Sequence, residues 1–152
     1  MQNANIKIWK TNRKNLINNL EDLTVKELNH TPKGFNNNII WNVGHALVSQ
    51  QALIYSTSNL PMHISNELFN LFKSGTKPES ELNAKDIALI KFKLTETMEI
   101  TEKDLGSNIF KNFKSKTTRT GFHLGSLDDA ISFNNYHEGI HYGLIMSIRK
   151  FI

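Results

Sequence analysis

Residues 126–151, SLDDAISFNNYHEGIHYGLIMSIRKF, decide the fold class. Ser126 followed three residues later by Asp129 is a capping-box arrangement, which predicts a helix start. From there Leu127, Ala130, Asn134, His137, His141, Leu144, Ile148 and Phe151 recur at intervals of three and four. Side chains at that spacing share one side of a 3.6-residue helix, so the stretch reads as a long helix facing a bundle core. Its anomaly is polar: His137 and His141 lie one turn apart on the stripe that should be buried. Buried imidazoles need hydrogen-bond partners, and two in one core are awkward. At i and i+4 their Cβ atoms stand about 5–6 Å apart, which lets both rings hold one ion at about 2.0–2.1 Å.

Other segments show the same periodicity, and no strand pairing competes with them. The first covers residues 5–28, where Ile6, Trp9, Leu16, Leu20 and Leu23 share a face. Arg13 falls on that face and is expected to reach water by its stem. Pro32 and Gly34 then end the helix. The second starts at Asn37 or Asn38, either of which can cap free N–H groups, and turns Trp41, His45, Val48, Ala52 and Tyr55 inward. It stops before Pro61, and ISNELFNLF at 64–72 reads as a short helix. The third follows Asn83 as cap, with Asp86 in the first turn and Ile87, Ile90, Leu94 and Met98 inside. Residues 105–125 contain a β-leaning patch but are expected to form an ordered loop crossing one end of the bundle. No internal repeat, low-complexity tract or linker interrupts the chain. The expected architecture is all-α: one four-helix-bundle domain over residues 1–152, with an ordered loop before the last helix.

Composition narrows the function classes. The 152 residues suffice for a hydrophobic core, and 39% apolar with 21% charged residues fits a globular chain. The net charge of +4 is spread along the chain rather than gathered on one helix, so no nucleic-acid partner is expected. The absence of cysteine excludes a disulfide scaffold, a thiolate metal site and a cysteine nucleophile. No stretch approaches the roughly 18 apolar residues of a membrane span. The N-terminal MQNANIKIWKTNRKN has no apolar h-region of a signal peptide. A cytoplasmic location and no membrane partner are therefore expected.

A third histidine, His45, lies on the inner stripe of the second helix in WNVGHALVSQ. Gly44 beside it would let a neighbouring helix or ligand approach closely. His45, His137 and His141 form a candidate metal site, with a metal-free core network as the rival reading. His30 sits at a helix end, where it can meet free carbonyls. His63 and His123 lie in loops and read as solvated, although the loop holding His123 could close over the site. Three neutral imidazoles leave an ion its full charge and an open position, which points to catalysis. All-nitrogen ligation suits zinc or nickel, and cobalt or iron less well. Such an ion can activate water, polarise a carbonyl or bind a thiolate.

Glu138 projects about 60° round the helix from His141. It either orients a ligand on a neighbouring helix, accepts a proton near the open face, or is a solvated surface glutamate. Asn134, one turn before His137, either bonds a bound water or substrate or is a satisfied core amide. Trp41 and Tyr55 read as packing, and Tyr142 as cover over a helix junction. In FKSKTTR, Lys114, Lys116 and Arg119 form either a basic rim that attracts an acidic cosubstrate or a solvated loop. No glycine-rich phosphate loop and no serine triad is present.

ISFNNYHEGIHYGLIMSIRK, taken with NIIWNVGHALVSQQALI, resembles the DinB/YfiT-like metal-binding four-helix bundles. That superfamily carries one histidine on the second helix and an HxxxH pair on the last, and the three bind one divalent ion, commonly nickel or zinc. Carried over, the implied ligands are His45, His137 and His141; their order, their separation and the HEGxHxG context match. The resemblance implies a metal-dependent thiol S-transferase using bacillithiol, mycothiol or glutathione, or a related hydrolase or isomerase. The expected partners are a small electrophilic substrate, a low-molecular-weight thiol and a second copy in a homodimer. The alternative is a non-catalytic binding or stress-response bundle whose metal is structural or vestigial.

Overall fold

In a computed structural model, which describes residues 2–152, the chain runs through α1 (Gln2–Glu21), α2 (Val25–Asn29), α3 (Ile39–Ile54), α4 (Asn66–Phe72), α5 (Ala84–Gly106), β1 (Lys116–Thr117), β2 (His123–Leu124) and α6 (Leu127–Ile148). The four long helices make the all-α bundle: α6 packs along α3 and α1, and α5 closes against the same two. The short α2 and α4 lie against α3. Only Ser49 and Ala52 of α3 escape full burial. Helix α3 carries no charged residue, and its buried Asn42, Gln50 and Gln51 find hydrogen bonds inside the bundle, so it can sit at the centre. Leu16, Leu20, Ile40, Leu47, Ile90, Leu94, Ile145 and Ile148 join the four helices in one core. No described helix is long and apolar enough to cross a membrane.

The helix starts follow their caps. Asn38 accepts from the Trp41 N–H (2.8 Å), and Asn83 closes a box with Asp86. Ser126 Oγ accepts from the Asp129 N–H (3.1 Å), while the Asp129 carboxylate takes the Gly125 N–H (3.0 Å). The return bond thus reaches one residue further back than a capping box would place it.

Three expectations are revised. The first helix does not continue to residue 28: it stops at Glu21, and α2 begins afresh after Thr24. Thr24 and Glu27 form a complete capping box, and a new start there breaks the long helix in two. Residues 105–125 are not only loop, because β1 pairs antiparallel with β2, Lys116 opposite Leu124. The turn between them passes through Gly121 at φ +88°, a conformation L-residues avoid. The inner face of α6 is also wider than one stripe. Ile131, Glu138 and Ile145 are buried, whereas Leu144 and Phe151 are exposed. Helix α6 has two long neighbours, so it must cover an arc that a single line of residues cannot fill.

Candidate metal centre

The contact between α3 and α6 brings the three histidines together. Ring centroids lie 5.1 Å apart for His45 and His137, 4.8 Å for His45 and His141, and 4.6 Å for His137 and His141. One nitrogen from each ring lies within 4.8 Å of the others. Tetrahedral ligands at about 2.0–2.1 Å from an ion would stand about 3.3 Å apart, so small side-chain adjustments close the set.

The surroundings choose which nitrogen faces inward. His45 Nδ1 donates to the Phe72 carbonyl (2.6 Å). A carbonyl only accepts, so Nδ1 carries the proton and Nε2 keeps its lone pair. Asn42 Nδ2 donates to the Asn38 carbonyl (2.7 Å), which turns Asn42 Oδ1 toward His141 Nδ1 (2.8 Å). His141 is thereby held in the same tautomer. His137 has no such support: its Nδ1 is buried without a partner among the described residues. Two rings tied by their outer nitrogens to oxygen, beside a third with an orphaned nitrogen, fit a divalent ion. Trp41 stacks flat on His45, with centroids 4.8 Å apart and planes 7° apart.

Burial lowers the pKa of all three rings. His137 falls to about 4 through burial and the nearby His45, and His141 to about 3 through burial, His137 and His45. His45 is lowered by burial against the opposing Phe72 hydrogen bond. All three are neutral near pH 7, the form that ligates metal. In the unfolded chain these imidazoles titrate near about 6.5, so below that pH the unfolded state binds more protons. Stability of the metal-free protein is therefore fully present above about pH 6.5 and is lost as the pH falls toward about 4. Thermal melts of chelator-treated protein across this range test the point. His137→Gln/His141→Gln should flatten the fall, and an equally steep fall in that variant would refute it.

The remaining polar cluster faces α1. Three donors bond Glu138 Oε1, namely Trp9 Nε1 at 2.9 Å, Arg13 Nε at 3.0 Å and Asn134 Nδ2 at 3.1 Å, and Arg13 Nη2 stands 2.9 Å away as an ion-pair contact. Arg13 and Glu138 are both 0% exposed. Arg13 therefore does not reach water, and Glu138 is not a surface residue, because each neutralises the other inside the bundle. Burial pushes the Glu138 carboxyl upward and Arg13 pulls it back. A guanidinium cannot lose its proton, so a neutral Glu138 would strand a charge, and the pair is ionised.

A family model of the DinB superfamily matches residues 8–145. The chain belongs to the DinB superfamily. The match begins in α1, ends in α6 and includes all three histidines. No curated protein matches the sequence.

In this DinB-superfamily chain the site opens on a cleft of about 720 Å³ whose walls include His45, His137, Ser49, Val48, Phe69 and Phe133. Ser49 Oγ lies 3.3 Å from His45 Nε2. The other histidines stand apart. His30 is exposed at the end of α2, and His123 is exposed on β2 with its ring beside Gly125 and Asp129. His63 is half-buried, not solvated, with Nε2 3.5 Å from Asp104 Oδ2 and its ring edge-on to Tyr55. Trp41 and Tyr55 are packed, and Tyr142 packs against the core from its edge. Asn42 and the Phe72 carbonyl were not anticipated as supports. Asn42 had a signal, since it is a polar residue one turn before His45 in an apolar helix. A backbone carbonyl leaves none.

Proposed function

We propose that this chain is a divalent-metal-dependent enzyme, a thiol S-transferase or a hydrolase acting on a small electrophile. The observation that carries the proposal is the neutral three-histidine set, of which His45 and His137 line an open cleft. His45, His137 and His141 would hold the ion. When bound, zinc or nickel would supply a Lewis acid for a carbonyl or a thiol. Phe72 and Asn42 aim two of the rings, and the Ser49 hydroxyl, which donates to His45 Nε2 while no ion holds that lone pair, would be released toward the cleft when one does. Glu138 and Asn134, the candidates for catalytic work, are proposed as positioning residues. Their hydrogen bonds run to α1 and to each other, which sets the rotation of α6.

A second reading, a non-catalytic bundle with a structural ion, draws support from the same ties. An ion there would cross-link the central α3 to α6. Elemental analysis of tag-free protein purified without chelator is the primary test. About one zinc or nickel per chain is expected, lost in His137→Ala/His141→Ala. Turnover in thiol-transfer or hydrolysis screens that chelation abolishes supports the enzyme. A large fall in melting temperature on chelation, without turnover, supports the structural ion. No bound metal even after loading with excess ion overturns both. The reading also carries a cytoplasmic setting and pairing into a homodimer. Exposed Tyr136, Ile140 and Leu144 on one side of α6 support pairing, and sedimentation equilibrium measures it.

A further inference from the structure

The cleft beside the histidines carries a charge asymmetry that metal ligation does not explain. Its exposed lining includes Lys73, Lys116 and Arg119, and no aspartate or glutamate lines it among the described residues. The chain as a whole has 14 acidic residues against 18 basic ones, so a wall of cations alone is not its general surface. Three elements supply the charges: Lys73 caps the end of α4, Lys116 lies on β1, and Arg119 lies in the turn before β2.

The hairpin that carries two of them is firmly placed. The Lys114 N–H donates to the Thr57 carbonyl (2.7 Å), and the Phe122 ring packs on Phe133 of α6 (5.3 Å). Arg119 Nη1 donates to Ser74 Oγ (3.3 Å), which draws the turn against the segment after α4. Among the described residues Lys73 Nζ donates only to the neutral Asn70 Oδ1 (2.9 Å). None of the three cations forms an ion pair among the described residues. Like charges gathered over low-dielectric walls repel one another and focus a positive potential into the cleft. An entering anion relieves that repulsion, and the free edges of a guanidinium suit an oxyanion. The apolar part of the lining is Val48, Leu53, Phe69 and Phe133, beside hydroxyls from Ser49, Ser74 and the threonines of the hairpin.

We infer that the cleft selects an organic anion with an apolar body. Its charged group sits at Lys73, Lys116 and Arg119, its body lies against Phe69 and Phe133, and its far end reaches His45 and His137. The inference rests on the proposed function in taking this cleft as the substrate's. The anion subsite itself does not need the metal.

Calorimetric titration of the full chain with 4-phenylbutyrate and its neutral analogue 4-phenylbutanamide tests this, on chelator-treated and on zinc-loaded protein. The carboxylate should bind about tenfold more tightly than the amide, and added salt should erode only that preference. Lys73→Gln/Lys116→Gln/Arg119→Gln should abolish the preference while leaving amide binding and melting temperature unchanged. Arg119→Lys, which keeps the charge, should retain most of it. His137→Ala/His141→Ala should keep the preference without binding zinc. Equal binding of acid and amide, no binding of either at millimolar concentration, or a preference that survives loss of the rim cations overturns the inference. So does a preference that needs zinc and vanishes in the histidine variant, since the metal would then be the anion's partner. Zinc content measured on the same samples judges the three-histidine site separately, because a rim preference in a chain that never binds metal would sink the proposed enzyme and leave the anion subsite standing.

Discussion

Glu138→Ala lowers the unfolding free energy by about 3–5 kcal/mol, the cost of breaking a buried ion pair from one side. The loss is large because Arg13 has nowhere to go: its side chain is 0% exposed, and apart from the carboxylate its contacts are the Leu94 carbonyl at 3.5 Å and the Trp9 ring. Trp9 Nε1 and Asn134 Nδ2 lose their acceptor in the same step. Urea unfolding measures the effect as a lower midpoint at unchanged slope. Glu138→Gln keeps the shape and should fall between wild type and alanine. Arg13→Met/Glu138→Leu should recover most of the loss, because removing both charges also removes both desolvation costs. A loss below about 1 kcal/mol in Glu138→Ala would mean that Arg13 finds water, as exposed pairs do, and the cluster would not be sealed.

Gly44→Ala should cost about 1–3 kcal/mol, although alanine is the better helix former. A Cβ at this position would stand 2.5 Å from a Phe72 ring carbon, and the ring is buried. The Phe72 backbone carbonyl is also the acceptor for His45 Nδ1. Pushing α4 away therefore loosens the support of His45, a proposed ligand, and where that ring holds an ion such losses weaken binding by about 10–100-fold. Thermal melts and competition with a metal chelator read the two effects separately. Gly44→Ala/Phe72→Leu should restore stability by making room. If Gly44→Ala melts like wild type and holds metal as tightly, the seat of Phe72 on Gly44 does not support the site.

The bundle and its three histidines were legible because their signals are local. Intervals of three and four mark the inner faces of α1, α3, α5 and α6, and Asn38, Asn83 and Ser126 mark three of the starts. The Thr24–Glu27 box is equally local but lies inside a run of helical spacing, which masks the break between α1 and α2. The hairpin escaped for a different reason. Two residues per strand are too short for an alternating pattern, and Phe122 packing on α6 is a contact across the fold.

Periodicity places His45, His137 and His141 on inner faces without saying which neighbours those faces meet. The rotation of α6 between α1 and α3 decides that. It turns Glu138 to Arg13, a carboxylate and a guanidinium 125 residues apart in the chain, and His141 to Asn42, 99 residues away. Each residue by itself reads as ambiguous, because burial of a charge is tolerable only if an opposite charge arrives from another helix. Local pattern marks the four long helices and sets the three histidines on their inner faces. Tertiary packing alone decided which nitrogens are free, which charges are paired, and that Lys73, Lys116 and Arg119 stand together over one cleft, since each depends on distances between elements that no local pattern encodes.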